Sequence, residues 1–393
     1  MKPEKSLVYF LSHPIQYFSP LLKELAKSTA LQVYYFSDSS LRGQQDAGFG
    51  QKIRWDTPLT DGYDFHILKN YSGQASPDNH FFDVFNPGVI AALWKNKAPV
   101  VIVNGWTYSS TLLVILFGRL FGKKIWLRAE NPLNQELGKR RAVLILKKIF
   151  LKHILFRLFI SKCLYIGTEN RRFFEYYGVG PSKLLFTPYS VDNEFFRGQA
   201  AILKGHQAAT KVQLGLPAGK KIILFSGKYI AKKRPMDLLK AFKLLNDPNC
   251  ALVMVGEGQL RKEMEQYILE NNLQDVYLTG FINQSLIPRY YSVADVFVMC
   301  SGEGETWGLS VNEAMNFEKP VIVSKTCGSC SDLVRHGENG FAFGTGDIAG
   351  LAGYLKRTMD DEGFRTAAGR LSGEIIRDYS IGHIVRNLVA SLN

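Results

Sequence analysis

The sequence predicts an α/β protein of two units in tandem, each a parallel sheet with helices on both faces. Short apolar runs alternate with helix-period stretches along the chain, and that alternation specifies parallel sheets. The series weakens after Asn193 and starts afresh near Lys221. A chain of 393 residues also exceeds the ~250–300 residues at which a single core stops growing. No short repeat links the two series, which excludes a solenoid.

The first series opens with LVYFLS (7–12), an apolar run bounded by His13-Pro14 that reads as a buried strand. A helix follows over 19–28, with Leu21, Leu22 and Leu25 inward and Pro20 where a first turn tolerates proline. VYYF (33–36) is the next strand, before a polar, glycine-containing stretch to Asp61 and a loop-rich passage to about Asn86. PVVIVNG (99–105), KIWLRAE (124–130), KCLYIG (162–167) and KLLFTPY (183–189) continue the strands, with an apolar helix over 111–122. From 193 to about 219 the chain reads as a linker plus a capping segment. The second series is KIILFSG (221–227), ALVMVG (251–256), VYLTG (276–280), VFVMC (296–300), PVIVS (320–324) and FAFG (341–344), with helices such as 235–245 and 258–271. Helices near 347–357, 361–377 and 381–392 end the chain, the last either covering the second unit or crossing back to the first. The expected division is 1–195, a linker over 196–218, 219–375, and a final helix over 376–393.

The basic character sits in the first half, where residues 1–200 hold 26 Lys and Arg against 15 Asp and Glu. Such an excess suits an anionic partner, which could be nucleic acid, a phospholipid surface or a phosphorylated substrate. No acid lies between Glu136 and Glu169, and Lys139, Arg140, Arg141, Lys147, Lys148, Lys152, Arg157 and Lys162 alternate there with apolar residues. At about 100° per residue Arg141, Lys148 and Lys152 share one face, while Arg157 falls on the other side. Charge every four or five residues rules against a membrane span, which needs ~20 mostly apolar residues. A helix lying on an anionic leaflet fits better, and its competitor is a core helix with a solvated basic face. No nucleic-acid motif accompanies the charge.

Five cysteines are too few for a disulfide framework, and the C-x-x-C of Cys327 and Cys330 lacks the second ligand pair of a zinc site. No metal site is expected. The opening MKPEKSLVYFLSHP has too short an apolar run for a signal peptide, so a cytosolic chain is expected.

Residues that could carry chemistry gather at strand ends, where open α/β sheets bind ligands. Glu305 and Glu313 frame the stretch from 303 to 325, and their spacing makes sense if the chain turns at Trp307-Gly308 and starts a helix near Ser310. Lys228 and Lys233 follow the first strand of the second series, where they could neutralise a diphosphate beside helix N-termini. Gly256 and Gly258 mark another strand-to-helix turn, a weak signal alone, and the run 279–283 ends the next strand.

Together, Gly227-Lys228 with Lys233, Gly256-Glu257-Gly258, Gly280-Phe281-Ile282 and the Glu305 to Glu313 pair resemble the retaining glycosyltransferases of family 4. The pair is followed by Ala314-Met315 and Lys319-Pro320-Val321, the most specific part of the likeness. The resemblance covers the second unit well and implies the GT-B fold, two facing Rossmann-like domains, with the final helix crossing back to the first. It implies that Lys228, in place of the usual arginine, and Lys233 hold a donor diphosphate. Glu313 would bond the ribose and Glu305 the sugar hydroxyls, with Glu303 a nearby competitor. Gly308 and Leu309, after Trp307, would bring backbone to the sugar or phosphate, and Phe281 and Ile282 would read the base. Retention in the family is explained by same-face attack within an ion pair, which needs neither a metal nor a protein nucleophile. No cofactor is expected beyond the nucleotide-diphosphate sugar itself.

The first unit departs from the family pattern. The glycine pair of the first loop is replaced by Ser12-His13-Pro14, and the histidine expected after the strand 124–130 by Arg128-Ala129-Glu130-Asn131. His13 and Glu130 are the acceptor-side candidates, with capping of its loop the alternative role for His13. The expected protein is a cytosolic glycosyltransferase on the inner face of the plasma membrane, using a glycan or lipid-linked acceptor at an anionic surface in polysaccharide or lipopolysaccharide synthesis. A GT-B sugar-nucleotide epimerase and a non-catalytic nucleotide-sugar-binding subunit are the alternatives. A dinucleotide oxidoreductase fits less well, since neither unit opens with a G-x-G-x-x-G turn.

Overall fold

The computed structural model describes residues 5–42, 45–46, 51–52, 55–72 and 80–392. Parts of the expected polar and loop-rich passages, and the first four residues of the signal-peptide reading, lie outside them. The chain divides into a first unit, Met1–Gln44, Pro58–Tyr189 and Ile381–Asn393, and a second, Gln45–Thr57 and Ser190–Ser380.

In chain order the strands are β1 (Ser6–Leu11), β2 (Ala30–Tyr35), β3 (Gln45–Asp46), β4 (Gln51–Lys52), β5 (Asp64–Ile67), β6 (Val100–Asn104), β7 (Lys124–Arg128), β8 (Ile160–Tyr165) and β9 (Leu184–Phe186). The second unit continues with β10 (Lys221–Ser226), β11 (Cys250–Val255), β12 (Val276–Leu278), β13 (Val296–Met299), β14 (Val321–Ser324) and β15 (Gly340–Phe343). The first sheet runs β5-β2-β1-β6-β7-β8-β9 and the second β12-β11-β10-β13-β14-β15, both parallel; β3 and β4 form a small antiparallel pair. Each order reverses beside its first strand, between β1 and β6 and between β10 and β13. Those reversals are the switch points at which a parallel sheet opens a crevice beyond its carboxyl edge.

Alternation along β1 builds the first core on both faces of its sheet. Val8 and Phe10 join Val114, Ile115 and Leu155 on one side. Leu7, Tyr9 and Leu11 meet Leu21, Leu22 and Leu25 on the other, where Ile384, Val385 and Leu388 of the last helix, Ile381–Ser391, are also buried. That helix is thus part of the first unit, tied by Lys5 Nζ to the carbonyl of Val389 at 2.8 Å and by Asn387 to that of Phe186 at 2.9 Å.

Three expectations change. The stretch 196–218 is no linker, because helices Asn193–Leu203 and Gln207–Gln213 belong to the second unit. Asp192 caps the first of them by accepting from Phe195 N–H at 3.0 Å, and Phe196 is fully buried against Tyr291 and Phe317. Strand β5 appears where a loop was expected; as an exposed edge strand it needs little apolar sequence. The basic segment is an α-helix, Arg141–Lys148, that continues as an eleven-residue π-helix, Ile149–Phe159. No helix among the described residues is long and apolar enough to cross a membrane.

If Phe196 anchors the 193–213 region to the second core, Phe196→Ala will lower stability by about 3–5 kcal/mol, the usual cost of emptying a buried phenylalanine site. Chemical denaturation read by tryptophan fluorescence measures this. A loss under ~0.5 kcal/mol, typical of surface positions, would return the segment to linker status.

Candidate active site

In the second unit the loops after β10 and β13, neighbours at the switch point, bring the two strongest sequence candidates into contact. Lys233 ends a short 3-10 turn, Ala231–Lys233, and its ammonium pairs directly with Glu305 Oε2. Glu305 is only 7% exposed. Burial pushes its carboxyl up, but Lys233, helped by Lys232 and a hydrogen bond from Ser301, outweighs that and holds it below the ordinary range. Ser301 Oγ lies 3.2 Å from Glu305 Oε2, and Ser324 Oγ donates to the Ser301 carbonyl. Of the two acids left open by the sequence, Glu303 is the exposed one, with no hydrogen bond or ion pair among the described residues.

Local sequence explains the path of each loop. A Cβ at Gly256 would collide with the Gly227 carbonyl, and one at Gly258 would lie 2.6 Å from the Tyr229 carbonyl. The G-x-G thus lets the loop carrying Lys228 pack against its neighbour, fixed by Gly227 N–H to Val255 O at 2.9 Å and Tyr229 N–H to Glu257 O at 2.8 Å. Lys228 is half-buried on that loop. Glu257 itself is held by Arg261 at 2.8 Å. Gly308 turns the chain at φ +91°, where a Cβ would sit 2.9 Å from Cys327 Sγ, and Leu309 begins the helix Leu309–Asn316 as the spacing predicted. Trp307 is buried, donating from its indole to Asn312 Oδ1 at 2.8 Å. Glu313 is buried inside the helix and accepts from the Tyr291 hydroxyl at 2.6 Å. The C-x-x-C thiols pack behind this turn: Cys327 Sγ donates to the Trp307 carbonyl at 2.9 Å, and burial pushes both thiols up to about 12.

Phe281 and Ile282, half-buried, lie on the loop after β12. There the structure adds a residue that sequence reasoning missed. Trp55, from the Gln45–Thr57 piece of the second unit, meets Phe281 edge-on at 6.0 Å, and Asp56 accepts from Ser285 N–H at 3.1 Å. Only long-range contact reveals it. Tyr291, which reaches Glu313 from another helix, was missed for the same reason, and Ser301, four residues before Glu305, is a loop serine that carries no local signal.

The first unit gathers polar groups at its own carboxyl edge. Arg128 ends β7 almost fully buried, with Phe18 at 5.3 Å and Tyr189 at 5.2 Å under its guanidinium. Its Nε lacks a hydrogen bond and stands 3.9 Å from Glu130 Oε1. Burial pushes the Glu130 carboxyl up, against the pull of Arg128 and a hydrogen bond from Tyr189. Tyr9 on β1 donates to Asn104 Oδ1 at 2.9 Å across the switch point. His13 lies 3.1 Å by Nδ1 from Ser12 Oγ, and burial pushes its imidazole down to about 4, so the ring is neutral at pH 7.

Comparison with known proteins bears on both units. A family model described as "Glycosyl transferases group 1" matches residues 206–371. The "D-inositol 3-phosphate glycosyltransferase" of Thermomonospora curvata is 30% identical over 205 residues, 49% of this chain and 47% of that protein. The "GalNAc-alpha-(1->4)-GalNAc-alpha-(1->3)-diNAcBac-PP-undecaprenol alpha-1,4-N-acetyl-D-galactosaminyltransferase" of Campylobacter jejuni is 28% identical over 166 residues, 42% of this chain and 45% of that protein. The chain thus spans about half the length of the curated relatives it matches. Among solved structures, Anabaena Alr3699/HepE in complex with UDP and glucose aligns over 99% of both chains with a TM-score of 0.73 at 16% identity. That likeness shows the fold, GT-B, over the whole chain.

The Lys233–Glu305 pair yields a test of the site's electrostatics. Lys233→Met leaves a buried carboxylate alone and should cost about 3–5 kcal/mol at pH 7, with Glu305→Gln in the same background recovering most of it. Without Lys233, burial is opposed only by Lys232 and the Ser301 hydrogen bond, and the folded pKa of Glu305 rises. The single variant's deficit should therefore shrink as pH falls through the carboxylate range and grow as pH rises. Urea titrations between pH 4 and 8 measure this, and a pH-independent deficit would refute the pairing.

Proposed function

We propose, from a chain whose second unit belongs to the glycosyl transferases of group 1, that the protein is a retaining glycosyltransferase. It moves a sugar from a nucleotide-diphosphate donor to a glycan or lipid-linked acceptor in cell-surface polysaccharide synthesis. The observation that carries this reading is the buried Lys233–Glu305 contact at the switch point of the second sheet. It sets a fixed cation beside a carboxylate able to accept from sugar hydroxyls.

In the reaction the sugar C1–O bond to the diphosphate breaks while the acceptor oxygen bonds to C1 on the same face, and the acceptor proton leaves with the diphosphate oxygen. Charge develops on that diphosphate, and Lys228 and Lys233, already in place, stabilise it without reorganisation. Glu313 takes the ribose, Phe281 and Ile282 with Trp55 border the base, and the turn at Trp307-Gly308 brings backbone to the sugar. On the first unit Glu130 is the better acceptor-side candidate, since Arg128 and Tyr189 hold it, whereas His13 is engaged by Ser12.

A lipid-linked acceptor is supported by the undecaprenol-linked substrate in the Campylobacter relative's name. It is supported also by exposed Val143, Ile145 and Leu146 among the basic residues of the helix Arg141–Lys148. These features suit an enzyme peripherally bound at the inner face of the plasma membrane.

Thermal unfolding with UDP, GDP and their sugars tests the donor site, with UDP first because the Anabaena protein was solved with it. A bound diphosphate at a hundred times its Kd should add about 2.7 kcal/mol. Lys228→Ala should weaken that binding about tenfold, or ~1.4 kcal/mol. Release of nucleoside diphosphate should require an acceptor and be lost in Glu305→Ala. Undiminished transfer by that variant, or no stabilisation by any nucleoside diphosphate, would overturn the reading.

A further inference from the structure

The π-helix Ile149–Phe159 sorts its side chains as an α-helix cannot. In a π-helix the bonds run i→i+5, so residues four or five apart share a face. Leu151, Leu155 and Phe156 form the buried face. Ile149, Ile154 and Leu158, with Phe150 beside them, form an exposed apolar ridge. Lys152 and Arg157, five apart, come into line on the remaining exposed face with His153 between them. The broken stripe read at α-helical spacing is thus whole at π spacing.

Each flank of the helix borders a recess. On the basic flank, Lys152, His153 and Arg157 join Gly178, Ser182 and Lys183 around about 290 Å³. Gly178, at φ +82°, leaves room for the Lys152 stem, which a Cβ would meet at 2.9 Å. Lys183 Nζ donates to the Phe156 and Ile160 carbonyls at 2.6 and 2.8 Å, which fixes its ammonium at the rim. Lys152, His153 and Arg157 make no hydrogen bond or ion pair among the described residues, and no acid lies in sequence between Glu136 and Glu169. Lys147, by contrast, is turned inward to Glu136 at 2.6 Å and belongs to the core. On the other flank Phe85, Leu112, Leu116, Phe150, Ile154 and Phe159 border an apolar recess of about 310 Å³.

Lys152 and Arg157, unpaired among the described residues, give the recess a positive charge that suits an oxyanion, and a guanidinium fork beside two ammonium groups, one of them already held by two carbonyls, suits phosphate. The apolar ridge on the same helix says what the phosphate is attached to. A soluble phosphate ester would have no use for exposed Ile149, Ile154 and Leu158, whereas an interfacial helix buries such a ridge among acyl chains with its cations at headgroup level. We propose that the Lys152–Arg157–Lys183 recess is a binding site for the phosphate of one anionic phospholipid headgroup, with the ridge seated in the same leaflet. The site rests on the membrane placement proposed above and adds a discrete headgroup pocket to it.

The test is flotation of the full chain with phosphatidylcholine vesicles, with and without phosphatidylglycerol. It compares wild type, Lys152→Gln/Arg157→Gln, Arg140→Gln/Arg141→Gln with the same charge loss outside the recess, and Ile154→Ser/Leu158→Ser. Unchanged far-UV circular dichroism and thermal unfolding qualify each variant. Wild type should partition at least tenfold more to the anionic vesicles. The recess variant should lose about tenfold and the control less than threefold, and the ridge variant should lose binding to both vesicle types. Equal losses from recess and control would overturn the headgroup site while leaving membrane placement standing. Wild type that floats with neither vesicle would overturn both. A saturable thermal shift with glycerol 3-phosphate, absent in the recess variant and unaccompanied by flotation, would reassign the recess to a soluble phosphate ester and overturn the lipid proposal. Stabilisation by nucleoside diphosphate reports on the transferase reading independently of all these outcomes.

Discussion

A single buried ion pair, Lys233 with Glu305, organises the second unit's carboxyl edge. Taking two charges out of water costs several kcal/mol each, and their attraction repays this only in good geometry with the remaining lone pairs satisfied. The surrounding structure is built to that demand. Ser301 supplies the extra hydrogen bond to the carboxylate, and Ser324 fixes Ser301 through its carbonyl. Arg234 adopts a left-handed φ of 49° to swing the loop into the helix Pro235–Leu245, and its guanidinium closes on Asp237 at 2.5 Å. Gly256 and Gly258 give the Lys228 loop the room it needs. Each is a local concession that makes sense only if the lysine must stand where it does.

Stability alone does not explain such a pair, because well-packed apolar residues of similar volume usually serve a core as well or better. Its use lies in electrostatic readiness. On the proposed reaction, a fixed cation meets a developing diphosphate charge, and the carboxylate that held it in place is already oriented toward a polar ligand. The first unit shows a looser version of this device. Arg128 is buried between two rings, its Nε without a hydrogen bond and its carboxylate partner at 3.9 Å. A group left short of partners in a dry site is costly to the fold, and such costs collect where a ligand completes the contact.

The sequence revealed what local pattern carries. Apolar runs closing on glycine, lysine or acid placed the strand ends and hence the donor-side candidates, and the spacing from Glu305 to Glu313 anticipated the turn and helix between them. It did not reveal what depends on distant partners. Tyr291 reaches Glu313 from another helix, and Trp55 reaches Phe281 across more than half the chain. The helices from Asn193 to Gln213 escaped because a few buried side chains, Phe196 foremost, hold them to the core without a long apolar stripe. In the first unit Arg128 and Glu130 stood in plain sight as departures from a family pattern, and only the rings around Arg128 give them a shared environment.

The basic segment is helical as expected, but the facing of its second half was hidden for a subtler reason, since its pattern was present and read at the wrong period. At α-helical spacing Arg157 strays from Lys152, and the segment looks like a poor amphipathic helix. At i→i+5 spacing the same residues separate into a buried face, an apolar ridge and a basic face. A π-helix is rare beyond a single turn and is frequent at functional sites, so eleven residues of it call for a compensating gain. Packing supplies part of the gain through Leu151, Leu155 and Phe156. Burial of those three, however, says nothing about why the exposed side chains should sort as well. Solvent alone would tolerate them mixed. On the proposed membrane placement, the separation of exposed leucine and isoleucine from exposed lysine and arginine on one short helix matches the apolar and anionic layers of a leaflet surface.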